Sequence, residues 1–137
     1  MKRIAIILTV AVMTVVCAIG AQAKKPKGAG GGDAKIEFAE KTFDFGVIKE
    51  KKGPVTHEFT FTNNGDGNLL ILKAAAECGC TRPEYSDKPI APGKSGKIKV
   101  TYNPLGRPGG FDKVVTVTTN GQPRKVRLKI RGTVVSD

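Results

Sequence analysis

The sequence contains no tryptophan, one histidine, two tyrosines and three cysteines, and its acidic residues are outnumbered 12 to 23 by lysine and arginine. Neither Gly-x-Ser-x-Gly nor His-Glu-x-x-His occurs, and with His57 as the sole imidazole the hydrolytic triads and the usual zinc-hydrolase sites cannot be assembled. The lack of tryptophan and of a widely spaced cysteine pair excludes a close relative of the antibody domains, which pack an indole on an inter-sheet disulfide. The formal charge of +11 speaks to solubility and to anionic partners, and not to fold.

What is present begins with a three-part export signal. Met1-Lys2-Arg3 is followed by an apolar run from Ile4 to Gly20 and then by Ala21-Gln22-Ala23, where small residues suit a signal-peptidase cut between Ala23 and Lys24. Residues 1–23 are thus read as a signal peptide, and the product as periplasmic or secreted. An uncleaved N-terminal anchor is one alternative, although the run is shorter than the roughly 20 residues a spanning helix needs. Lipidation at Cys17 is another, set against the branched Val16 before it. After cleavage no membrane span remains. Residues 24–34 carry lysines and glycines and no large apolar side chain, the composition of a flexible basic leader.

From residue 35 to 137 the apolar residues recur with period two, separated by Gly, Pro, Asn and Asp, as in strands joined by turns. Ile36 and Phe38 mark a first strand, which Phe43 and Phe45 continue beyond Glu40-Lys41 until Gly46. Val55, His57, Phe59 and Phe61 alternate with polar residues, as do Ile98, Val100 and Tyr102. Leu69 to Ala76 is a further apolar run that leads into Cys78-Gly79-Cys80, and Pro83, Pro89 and Pro92 predict a loop after it. Val114 to Thr118 is β-branched, and Asn120-Gly121 signals a hairpin into a last strand with Val126, Leu128 and Ile130 facing inward. About seven short strands without a helical stripe predict an all-β, immunoglobulin-like antiparallel β-sandwich.

In order along the chain come Phe43-Asp44-Phe45-Gly46, His57 to Asn63, Cys78-Gly79-Cys80-Thr81, Pro92-Gly93, Thr119-Asn120 and Ile130-Arg131-Gly132. This ordered set resembles the bacterial Domain of Unknown Function 1573 family over about residues 36 to 134. The resemblance implies an immunoglobulin-like sandwich, distantly related to Hydin-type, major sperm protein and PapD-like domains, usually in exported proteins. It implies no established activity.

Cys78 and Cys80 are the candidate site. In an oxidising compartment nearby thiols end as disulfides, but on a regular strand residues i and i+2 hold their Cβ atoms about 6 to 7 Å apart, against about 3.8 Å in a disulfide. Closure therefore needs a bend, for which Gly79 offers positive φ. The open readings are small packed hydrophobes or a local staple, a redox pair, and two ligands for a soft ion such as Cu(I). Cys80, beside the loop, is expected to be the more exposed. His57 is expected to tuck against the core edge. Gly93-Lys94-Ser95 mimics the end of a phosphate-binding loop, but Lys88 stands where its first glycine belongs.

Arg124, Lys125, Arg127, Lys129 and Arg131 form an outward positive stripe on the last strand, read either as a charged edge that blocks strand pairing or as an anion site. Nucleic acid is not expected, because no aromatic residues interleave with these charges. The resulting expectation is a non-enzymatic binding or structural module of the bacterial cell envelope, with a protein or an anionic envelope polymer as partner. The alternative is a thiol-based redox or copper-binding protein acting through Cys78 and Cys80. A chaperone that pairs through a free sheet edge is a third reading. No cofactor is expected beyond that copper ion.

Overall fold

A computed structural model describes residues 33–136; the signal sequence, Cys17, the Ala23–Lys24 cleavage site and most of the leader lie outside the described residues. The strands are β1 (Ile36–Phe38), β2 (Thr42–Lys49), β3 (Val55–Asn63), β4 (Ile71–Ala76), β5 (Thr81–Tyr85), β6 (Ser95–Tyr102), β7 (Gly109–Thr119) and β8 (Lys125–Val135), with one 3-10 turn at Glu50–Lys52. They form two four-stranded sheets, ordered β1-β3-β6-β5 and β2-β8-β7-β4. This is the strand arrangement of an immunoglobulin-like sandwich with one additional strand on the second sheet.

That additional strand is one of two that bring the count to eight where about seven were expected. The segment read as one first strand divides at residues 39–41. β1 pairs antiparallel with β3 in one sheet, and β2 then crosses to the other sheet and runs parallel to β8. The sandwich is therefore mixed rather than wholly antiparallel. One opening segment closes both sheets, because it can satisfy a free edge on each in turn.

A second difference concerns the prolines. Residues 81–85, read as loop, form β5, which pairs antiparallel with β6 and places Pro83 opposite Val100. β5 is an edge strand and needs only one hydrogen-bonded side, so a residue without an N–H is tolerated there.

The core lies between the sheets. Phe59, Phe61, Ile98, Val100 and Tyr102 come from one, and Val115, Val117, Val126, Leu128 and Ile130 from the other, each no more than 5% exposed. Burying each such apolar side chain stabilises the fold by about 1.5–3 kcal/mol. The Tyr102 and Phe111 rings stack across the gap at 3.9 Å and 15°.

The loops at one end are tied by buried polar side chains. Asn63 is fully buried; its Oδ1 accepts from the backbone N–H groups of Lys35 (3.2 Å) and Gly65 (3.0 Å), and its Nδ2 donates to the carbonyls of Gly67 and Ile90, both at 2.8 Å. The β7–β8 hairpin is present, but residues 120–124 link it instead of a tight two-residue turn, and the Gln122–Pro123 bond is cis. Asn120 serves as a clamp, accepting from the Leu70 N–H at 2.8 Å and donating to the Asn68 carbonyl at 3.0 Å.

Candidate functional site

Cys78-Gly79-Cys80 occupies the step from β4, an edge of one sheet, to β5, an edge of the other. A chain leaving one sheet for its partner must turn sharply, and the Thr81 N–H closes this turn on the Cys78 carbonyl at 3.2 Å. The turn brings the two Cα atoms to 5.3 Å, and the sulfurs are joined as a disulfide. The bend does not use positive φ at Gly79, which is absent from the glycines in that region; a reverse turn of the chain supplies it.

The exposure of the two cysteines is the opposite of that expected. Cys80 is 5% exposed and packs into the core cluster, while Cys78 is partly buried and lies against the outside of that cluster. The cause is the turn and not strand alternation: Thr81 already holds the inward position of β5, so Cys80, one residue before it, reaches the core because the chain reverses there, with the Asn103 N–H bonded to its carbonyl at 2.9 Å. Cys78 is therefore the sulfur a reagent would reach first. Among the described residues no cluster of three His, Cys, Asp or Glu side chains gathers around the pair.

Tyr102 pairs with Thr81, one residue beyond Cys80. Burial pushes its phenol above the ordinary value of 10.0, with the nearby Arg107 guanidinium pulling the other way. His57 sits elsewhere, on β3 opposite Val100. Its ring stacks on Phe43 at 3.6 Å and 7°, meets Phe59 edge-on, and its Nε2 lies 2.5 Å from Glu40 Oε1. It is tucked at the core edge as expected and is not near the cysteines. Gly93-Lys94-Ser95 is likewise absorbed in backbone pairing, with the Gly93 N–H on the Asn63 carbonyl (2.7 Å) and the Asn63 N–H on the Lys94 carbonyl (2.9 Å).

The basic stripe is corrected in its setting. β8 lies between β2 and β7, but β2 pairs with it only from Lys129 to Val135, so Lys129 and Arg131 do not guard an edge, and the charged-edge reading applies only to the end that carries Lys125 and Arg127. All four stand on the outward face of β8, with exposed Arg124 in the turn just before it. Two of them are paired: Arg131 Nε lies 3.2 Å from Asp44 Oδ2, and Lys129 Nζ lies 3.6 Å from Asp112 Oδ2. A shallow open depression of about 570 Å³ adjoins that paired end, where Gly46, Gly110 and Gly132 leave the sheet bare between Asp44, Asp112 and Arg131. Sequence reasoning did not find Lys73 of β4, which joins this face beside Thr118 through the register of β4 and β7; the ladder alone brings it there, and no local pattern signals it.

Comparison with known proteins agrees with this architecture. A protein of unknown function from Porphyromonas gingivalis is similar at a TM-score of 0.64 and 15% identity, over 73% of this chain and 46% of that one, so the chain spans under half of that relative. The ASH/PapD-like domain 7 of human CEP192 is similar at a TM-score of 0.56 and 14% identity, over 99% of both chains. The YadV chaperone is similar at a TM-score of 0.50 and 15% identity, over 74% of this chain and 52% of that one. No curated protein matches. The family described as "Protein of unknown function (DUF1573)" matches residues 36–134, nearly all of the β-sandwich, and the chain belongs to that family.

Proposed function

We propose that this chain is an extracytoplasmic, non-enzymatic binding module of the bacterial cell envelope. The observation that carries this reading is the use to which its chemically capable side chains are put. His57 is stacked and bonded to Glu40, Asn63 holds loops, and Cys78 and Cys80 are closed on each other. The broad outward faces of two sheets are what the sandwich offers to a partner. PapD-like and chaperone folds among the structural neighbours favour the same class by analogy of fold. Export rests on the signal-like residues 1–23, and intact mass of envelope-purified protein should start at Lys24.

The test is cross-linking of the chain in intact envelopes followed by mass spectrometry. A reproducible partner is the expected result. Absence of any partner together with a measured turnover would sink the reading.

Thiol chemistry is the second reading, favoured by the partial exposure of Cys78 within the disulfide. Here the chain would exchange disulfides, or in reduced form hold Cu(I), through Cys78 and Cys80. If the Cys78→Ser, Cys80→Ser double variant altered only stability, and the reduced protein retained no copper, this reading would be abandoned.

A further inference from the structure

The outward faces of the two sheets are not equivalent electrostatically. On the β1-β3-β6-β5 face every cation on the central and β5 strands has an acid: Lys97 Nζ is 3.1 Å from Glu58, Lys99 Nζ 3.6 Å from Glu84, and Arg82 Nε 3.7 Å from Glu84. Pairs of hydroxyls, Thr56 with Thr101 and Thr62 with Ser95, occupy the rest. That face is charge-balanced and its hydrogen-bonding groups are turned on one another.

The β2-β8-β7-β4 face carries Lys49, Lys73, Lys125, Arg127, Lys129 and Arg131 against Asp44 and Asp112. The two acids neutralise Lys129 and Arg131 at one end. Lys73, Lys125 and Arg127 at the other end are exposed and have no acidic partner among the described residues. Lys125, Thr118 and Lys73 stand in one cross-strand row, and Arg127 is in the next, beside Thr116 and Ala75. Two residues along a strand are about 7 Å and two strands across a sheet about 10 Å, so the three cations form a triangle of that size over short side chains that do not cover them.

We infer that this end of the face is a docking surface for an extended anionic glycan, a polysaccharide bearing carboxylate or phosphate groups. The inference rests on the binding-module reading and gives it a partner class. Charge complementarity selects the sign of the partner. The surroundings select its kind: Thr116, Thr118 and Ala75 offer no apolar anchor, and half-exposed Leu72 beside Lys73 supplies one aliphatic side chain, whereas protein interfaces concentrate their energy in a cluster of desolvated aromatic and aliphatic anchors. They also offer no ring on which bases would stack. Recognition here is electrostatic, hence strongly dependent on salt and tolerant of sugar identity.

The test uses the purified chain with polygalacturonate and polyphosphate as probes, titrated at several salt concentrations. The variant K73Q/K125Q/R127Q removes the unpaired triangle, and R82Q/K97Q/K99Q removes the same charge from the opposite face; thermal melting verifies that both fold. The expected result is at least a tenfold loss of polygalacturonate binding in the first variant, with the slope of log affinity against log salt reduced by roughly 2–3, and little change in the second. Equal loss in both variants, or no binding of either probe by the unmodified chain at low salt, overturns the inference. So does single-stranded DNA binding through the same triangle as tightly as polygalacturonate. If cross-linking in the envelope captures a protein partner that the K73Q/K125Q/R127Q variant still binds, the module reading stands and the glycan assignment falls.

Discussion

Asn63 has four polar positions and uses all of them, two as acceptor and two as donor, at full burial. Replacing it by alanine removes four bonds and leaves the backbone groups of Lys35, Gly65 and Gly67 without that partner, while the Ile90 carbonyl keeps the Leu69 N–H at 2.9 Å; each loss costs a fraction of the roughly 1–3 kcal/mol that a fully unsatisfied buried group would. Asn63→Ala should therefore destabilise the domain by about 2–4 kcal/mol in urea denaturation. A change within 0.5 kcal/mol would mean that water replaces the side chain. Tyr102 yields a pH prediction. Its native pKa lies above the ordinary 10.0 because burial disfavours the phenolate, so the folded state holds the proton more tightly than the unfolded chain. The resulting stability is fully present below pH 10.0 and is lost as pH rises through the raised native value. Lysines titrate in the same window, so the informative quantity is the difference between the parent and Tyr102→Phe. Denaturation midpoints from pH 8 to 11.5 should show the parent losing stability relative to the variant above pH 10. Parallel curves would refute it. At this scale the sequence made His57 legible through its phase with Phe59 and Phe61, whereas the role of Asn63 was hidden in a run that reads as a turn.

β2 shows why the first strand was only half legible. Its register with β8 slips between Asp44 and Val47, inserting one extra residue at Gly46 (φ +69), whose N–H bonds Asp44 Oδ1 at 2.7 Å. The bulge reverses the side-chain phase, so that Phe43 faces the core but Val47 is 72% exposed and Ile48 is buried. Period-two counting across such an insertion stops where the pattern breaks. The partner of β2 was illegible for another reason, since Thr42 to Lys49 pair with Lys129 to Val135 at the far end of the chain. Gly132 explains the last element of the family motif. A Cβ there would stand 2.9 Å from the Gly46 carbonyl and 2.9 Å from the Phe111 ring, while a Cβ on Gly46 would meet nothing within 4 Å. The two glycines thus fail differently on substitution. Gly46→Ala should cost about 1–2 kcal/mol through backbone conformation alone, and Gly132→Ala about 1–3 kcal/mol through overpacking. Adding Phe111→Leu should recover part of the second loss and none of the first, which a double-mutant cycle would read. Equal recovery at both positions would show that the bulge and the ring contact form one unit.

At the scale of the whole molecule, the disulfide and the core play separate parts. The bond joins residues two apart within the turn from β4 to β5, so it constrains a local bend and does not tie one sheet to the other. The sheets are held by the interleaved Phe59, Ile98, Val100 and Tyr102 against Val115, Val117, Leu128 and Ile130, which the alternating pattern of the sequence made legible without any staple. The pairing of sheets, the interior position of β8 and the arrival of Lys73 beside Lys125 were not legible, because each depends on contacts between residues far apart in the chain. Chain entropy assigns a loop this short about 1.5 kcal/mol of stabilisation, a small part of the 5–15 kcal/mol typical of a domain. Reduction should therefore lower the melting midpoint by roughly 6–12 °C and leave a cooperative transition. Calorimetry with and without reductant, and of the Cys78→Ala, Cys80→Ala variant, makes the measurement. Loss of the transition on reduction would mean that the turn between the sheets, and not the core, limits the fold.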